Sequence, residues 1–160
     1  MRKVLLGIGN PLRRDDGVGL WVAERMRGAD WEVIPAGQSV ENALGLVARL
    51  PPDLLVVVDA AEMGLPPGSV RRLSLDQSEQ MLGSTHALPL LFLLGTVRDA
   101  VGEIVLVGIQ PADRSLGAGL TPAVQAAAAW VVTCLREERL GEILPLAPVE
   151  EPPPHSERAP

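Results

Sequence analysis

The stretch GIGNPLRRDDGVG, residues 7–19, sets two adjacent acids, Asp15 and Asp16, in a glycine-bracketed turn just after an apolar run. Two further groups able to bind a metal or move a proton stand at comparable places. Asp59 closes the apolar run DLLVVVDA, and His86 lies in a polar segment, STHALP, ahead of a helix-like stretch. A mixed carboxylate and imidazole set suits a divalent transition metal, and fewer than four protein ligands leaves a coordination position open. A carboxylate in such a place can also act as a general base toward water. The three groups come from separate segments, so this chemistry requires a fold that brings those segments to one edge.

Each residue also has a plainer reading. A carboxylate at a helix start accepts backbone N–H bonds and meets the positive end of the helix dipole, so Asp15 or Asp16 could simply cap the helix that follows. One cap is enough and like charges repel. The division expected is that Asp15 serves the turn, shaped with Gly9, Asn10 and Gly17, while Asp16 faces the cleft. Asp59 taken alone is an ordinary polar strand end, and His86 a loop or N-cap histidine. His155 sits in a Pro-rich tail, and the Asp113-Arg114 pair reads as loop charge. Cys134, on an apolar helical face, reads as a small core residue. A dinucleotide-binding loop is discounted: Leu12 stands where a third glycine belongs, and the acid pair would repel a pyrophosphate.

The elements that must position these residues follow from hydrophobic period. Residues 3–8 (KVLLGI) form a continuous apolar run, as in a buried parallel strand. Residues 17–27 then switch to helical spacing. A strand is expected at 31–35, and a helix at 41–50 that Pro51 and Pro52 stop. Residues 53–60 are the strongest strand. A half-exposed strand is expected at 69–75, a helix at 88–97 and a strand at 103–109. An Ala-rich helix follows at 121–138, with Thr121 as N-cap and Pro122 in the first helical position. This alternation predicts an α/β fold, three-layer α/β/α, with a mostly parallel central sheet and helices on both faces. In such sheets ligands bind at the carboxyl ends of strands. Residues 1–143 are expected to form one domain, and 144–160 a Pro-rich, disordered tail.

Bulk properties narrow the function classes. The chain has 160 residues and a formal net charge of −6, which disfavours a nucleic-acid surface or attraction to anionic lipid. Three Trp, one Phe and no Tyr leave the core to aliphatic side chains and exclude Tyr as a catalytic acid. The single cysteine excludes an internal disulfide or a Cys-rich metal cluster and suits reducing cytosol. The apolar run before Gly7 is too short for a signal core, and Pro, Gly or charge interrupts every apolar stretch before it reaches membrane-spanning length. The expected location is cytoplasmic, without membrane insertion.

Four motifs now stand in order: GIGNPLRRDDGVG, VDAAEMG (58–64), THALPL (85–90) and VGIQP (107–111). Together they resemble the hydrogenase maturation endopeptidase family, which processes the large subunit of nickel–iron hydrogenases. The subgroup serving formate-hydrogenlyase-type hydrogenases shares the DA-x-x-MG-L-x-PG and TH-x-x-PL patterns. The resemblance spans roughly residues 3–138 and implies a twisted, mostly parallel sheet of the phosphorylase/hydrolase-like kind between helical layers. It implies a single cut near the C-terminus of the large-subunit precursor, removing a short extension after nickel insertion. It places the family's metal-contacting positions on Asp16, Asp59 and His86, the residues already singled out. Nickel would be presented by the precursor, with no tightly bound organic cofactor. Water would be activated by a carboxylate, Asp16 being the better candidate, or polarised by the metal. The segment AGQSVEN (36–42) departs from the family pattern, with Gln38 where relatives carry the second residue of a Gly-Gly or Gly-Thr pair.

Two rival readings bear on the same residues. G-[LI]-G-N-P also opens peptidyl-tRNA hydrolases, but this chain has Leu12 where they carry glycine, and it lacks their Tyr and R-H-N segment. A non-catalytic, nickel-dependent assembly or docking factor for the hydrogenase precursor would use the same three ligands. Two histidines and one cysteine make a poor inventory for storing free nickel.

Overall fold

The computed structural model describes residues 1–82 and 89–148. In chain order the elements are β1 (Lys3–Ile8), α1 (Val18–Arg25), β2 (Glu32–Gly37), α2 (Val40–Arg49) and β3 (Leu54–Ala60). Then come β4 (Val70–Leu73), α3 (Leu90–Gly95), β5 (Glu103–Ile109) and α4 (Pro122–Arg136). The strands form one sheet in the order β2-β1-β3-β5-β4. All neighbours run parallel except β4, which lies antiparallel to β5 at the edge.

The unbroken apolar run of β3 is explained by its place. It is central and buried along its whole length, with helices on both sides. Alternate residues point to opposite faces. Val56, Val58 and Ala60 pack with Val18 and Val22 of α1, with Met26 just past its end, and with Val124, Ala128 and Val131 of α4. Leu55 and Val57 pack with Ala43, Leu44 and Val47 of α2 and with Leu90, Leu93 and Leu94 of α3. The layers are therefore α1 and α4, the sheet, then α2 and α3. This is the three-layer α/β/α arrangement that the alternation of periods predicts.

The differences from the sequence reading are local. The strand expected over 69–75 shortens to Val70–Leu73, and a 3-10 helix at Leu75–Gln80 follows it. A capping box starts that helix, with the Gln77 side chain accepting the Ser74 N–H at 2.9 Å. The S-x-x-Q spacing was present in the sequence, but the apolar pattern around it has no helical period. The expected helix over 88–97 becomes the short α3, which starts after Pro89 and ends at Gly95. Beyond residue 143 the backbone still covers the β4 edge. Arg72 N–H donates to the Leu144 carbonyl at 2.8 Å, and Leu146 N–H donates to the Arg72 carbonyl at 2.7 Å. This strap satisfies edge groups that would otherwise invite another strand. Among the described residues, no helix is long and apolar enough to cross a membrane.

Candidate functional site

The chain leaves β1 toward β2 on one side, through α1, and returns through α2 to β3 on the other. The carboxyl ends of β1 and β3 are thus the topological switch point, where neighbouring connections diverge and leave a crevice. The turn after β1 carries Asp15 and Asp16, and Asp59 is near the end of β3. Helix α1 starts directly on this junction. A Cβ on Gly19 would collide with the carbonyl oxygens of Ile8 and Val58, one from each strand. Only glycine permits that approach, and it brings the 3-10 turn Arg14–Gly17 down onto β3.

The turn itself is built from backbone bonds to acids. Gly9 has φ +137°, and a Cβ there would overlap the carbonyl oxygen of Asp16. With glycine in place, Gly9 N–H donates to the Gly37 carbonyl at 3.0 Å, tying the turn to the end of β2. Asn10 N–H then reaches both the Asp16 carbonyl, at 3.2 Å, and Asp16 Oδ2, at 3.1 Å. The Asn10 side chain accepts Leu12 N–H at 3.0 Å, closing an Asx turn. Gly17 packs against Pro11, where a Cβ would lie 2.8 Å from the proline Cα. Gly9→Ala is therefore expected to destabilise the fold by about 2 kcal/mol or more, because it combines a forbidden φ with a backbone clash. A urea titration checks this; an unchanged midpoint would refute the account of the turn.

The sequence reading gives Asp15 to its own turn and Asp16 to the cleft; in the structure the Asp15 carboxylate serves a distant loop instead. Neither caps α1, whose N-cap, Gly17, receives no side-chain bond. Asp15 is fully buried and faces the loop between β5 and α4. Its Oδ2 accepts Ala112 N–H at 2.9 Å, Asp113 N–H at 3.0 Å and the Thr121 hydroxyl at 2.8 Å. Its Oδ1 accepts Thr121 N–H at 2.7 Å. Thr121 does occupy the N-cap position of α4, but its hydroxyl is spent on Asp15 instead of the helix. Asp15 thus places its carboxylate at the positive end of α4, a helix more than one hundred residues away in sequence.

Asp16 is 5 % exposed. One oxygen takes the Asn10 N–H, and the other takes Arg114 Nε at 3.0 Å. Arg114 is held from behind: its carbonyl accepts Arg13 Nε at 3.1 Å, and its neighbours Ala112 and Asp113 are clamped by Asp15. The Ser115 hydroxyl and N–H hold the Asp113 carboxyl below the usual carboxylate range, with Arg14 adding a smaller pull.

Asp59 is fully buried, and strand alternation puts it on the face shared with Leu55 and Val57. His86, the third residue of the expected set, lies outside the described residues. Among the described residues, no three His, Cys, Asp or Glu side chains form a group that could hold a metal ion. Cys134 is buried in the α1–α4 layer, remote from the switch point, and burial pushes its thiol up.

Two residues that organise the site were missed as individuals. The sequence reading takes Arg114 as loop charge, and the structure sets it on Asp16. Gln110, noted only within VGIQP, is buried and clamps the segment after β3. Its Oε1 accepts Met63 N–H at 2.7 Å, and its Nε2 donates to Glu62 at 2.8 Å. A polar residue at the end of an apolar strand was the available signal.

A family model described as hydrogenase maturation protease matches residues 21–138. The hydrogenase 3 maturation protease of Escherichia coli K12 is 38 % identical over 115 residues, covering 69 % of this chain and 74 % of that one. The solution structure of an endopeptidase HycI from Escherichia coli superposes with TM-score 0.83 at 35 % identity, covering 94 % of this chain and all of that one. The crystal structure of a [NiFe] hydrogenase maturation protease HycI from Thermococcus kodakarensis KOD1 gives TM-score 0.73 at 32 % identity, covering 86 % of this chain and 92 % of that one.

Proposed function

This chain belongs to the hydrogenase maturation protease family, and from that premise we propose that it makes one endoproteolytic cut near the C-terminus of a nickel–iron hydrogenase large-subunit precursor. The cut removes a short extension once nickel is in place. The observation that carries this reading is Asp16: a nearly buried carboxylate at the switch point beside the end of β3, held by one backbone N–H and one guanidinium.

Nickel is part of the substrate in this reading. Asp16, Asp59 and, by the family resemblance, His86 receive it, and oxygen and imidazole donors suit such a cation. Asp16 then acts as general base. Water attacks the scissile carbonyl carbon, the carboxylate takes the water proton, and that proton passes to the departing amine as the C–N bond breaks. The Asn10 N–H and the glycine-built turn keep the carboxylate oriented while this happens. We place the reaction in the cytoplasm, where the lone cysteine stays a buried thiol.

The test is cleavage of the cognate precursor, prepared with and without nickel and followed by intact mass. Loss of one short C-terminal peptide from the nickel-loaded form alone is the expected result. Cleavage that ignores nickel would remove the metal-recognition role from Asp16, Asp59 and His86. Tight complex formation without any cut would turn the reading into that of a docking factor.

A further inference from the structure

We propose that Arg114 is a counter-ion latch on Asp16: its guanidinium holds the carboxylate in place before substrate arrives and must swing away for Asp16 to receive a cation. This rests on the reading of Asp16 given above and deepens it. Asp16 is 5 % exposed, and an unpaired carboxylate at that depth is costly. Its neighbour Asp15 does not share the load: among the described residues, the donors on its carboxylate all belong to the β5–α4 loop and the start of α4. Among the described residues, the Asp16 oxygen not held by Asn10 is held by Arg114 alone.

The geometry suits a contact made to be broken. Arg114 engages through a single Nε bond at 3.0 Å and not through the two-pronged fork that makes arginine–carboxylate pairs strong. Its side chain is 37 % exposed, so water can take over the guanidinium when it leaves. Its backbone stays put meanwhile. Arg13 Nε holds the Arg114 carbonyl, and Asp15 holds the two preceding N–H groups. A fixed base with a part-exposed, singly bonded tip is a side-chain latch. Arg114 is therefore a positioning residue that acts through Asp16, and it competes directly with any cation for the same oxygen.

The experiment is a calorimetric titration of the full chain with nickel chloride at constant ionic strength, with far-UV circular dichroism on every variant. Arg114→Gln should bind nickel roughly three- to tenfold more tightly than the parent, in keeping with the modest worth of a part-exposed ion pair. Arg114→Lys, which restores a positive charge within reach, should return the affinity to near the parent value. A residue that only stabilised the loop would not produce this gain and its reversal. Asp16→Asn should abolish the binding in either background. Equal or weaker binding by Arg114→Gln, with Asp16→Asn still abolishing it, would overturn the latch and leave the reading of Asp16 intact. Undiminished binding by Asp16→Asn would overturn that reading and the latch together. Absence of nickel binding in every variant would overturn the latch, and the precursor cleavage assay would then judge the reading alone.

Discussion

Asp16→Asn leaves the protein folded and lowers the rate of precursor cleavage by about 10³-fold, the scale lost with a general base. The substitution keeps the shape of the side chain. An amide oxygen can still accept the Asn10 N–H that now meets Oδ2 at 3.1 Å. What disappears is the negative charge and the ability to take a proton from water. Arg114 loses its ionic partner, but at 37 % exposure its guanidinium turns to solvent, so the stability cost stays within about 1 kcal/mol. Single-turnover cleavage read by intact mass, with a thermal melt on the same preparation, separates the two quantities. A variant that cuts within tenfold of the parent rate would show that the base is some other group.

Asp15→Ala, one residue earlier, should do the opposite: it attacks the fold first. Asp15 is fully buried and accepts four bonds, from the N–H groups of Ala112, Asp113 and Thr121 and from the Thr121 hydroxyl. Alanine leaves these donors without their acceptor and removes the negative charge from the N-terminal end of α4. The expected loss is about 3–5 kcal/mol, which for a chain of this size lowers the melting temperature by roughly 10 °C. Cleavage falls as well, because the loop that carries Arg114 loses its carboxylate anchor on the turn that carries Asp16, although the backbone bonds and the Arg13 contact remain. Asp15→Asn serves as the second probe. Its NH₂ brings a donor into a set of donors, so the shorter change in structure should still be strongly destabilising. A melting temperature within 2 °C of the parent in both variants, on the scale of roughly half a kcal/mol or so, would mean that Asp15 is not the clamp its bonds describe.

These two outcomes answer why the chain carries adjacent acids. A single carboxylate cannot both bind the β5–α4 loop through all its lone pairs and remain available to a substrate. The 3-10 turn aims consecutive side chains in different directions, so Asp15 takes the structural task and Asp16 keeps an oxygen behind a removable partner.

Much of this was legible before any fold was known. The apolar run of β3, the period change from β1 into α1, and the Thr-Pro start of α4 each depend on residues a few positions apart, and they read out correctly. So did the fold class, because alternating strands and helices admit few other arrangements. The short pieces were harder. The 3-10 helix Leu75–Gln80 has no hydrophobic period to announce it, and Pro89 and Gly95 cut α3 to a length at which periodicity carries little.

The amino-acid sequence by itself determined the elements, their order and the chemistry of the candidate groups, since those follow from local pattern and side-chain type. Tertiary structure alone decided who meets whom. Asp16 meets Arg114 across 98 positions, and Asp15 meets Thr121 across 106. Neither acid caps the helix beside it, although local reasoning makes that the natural partner. The physical reason is that a hydrogen bond is chosen by distance and direction in space. The sheet order, with β1 and β3 adjacent and β5 next to β3, carries the loop after β5 to the turn after β1. Nothing in the chemistry of DD at one end of the chain or DR near the other specifies that meeting until the sheet has formed.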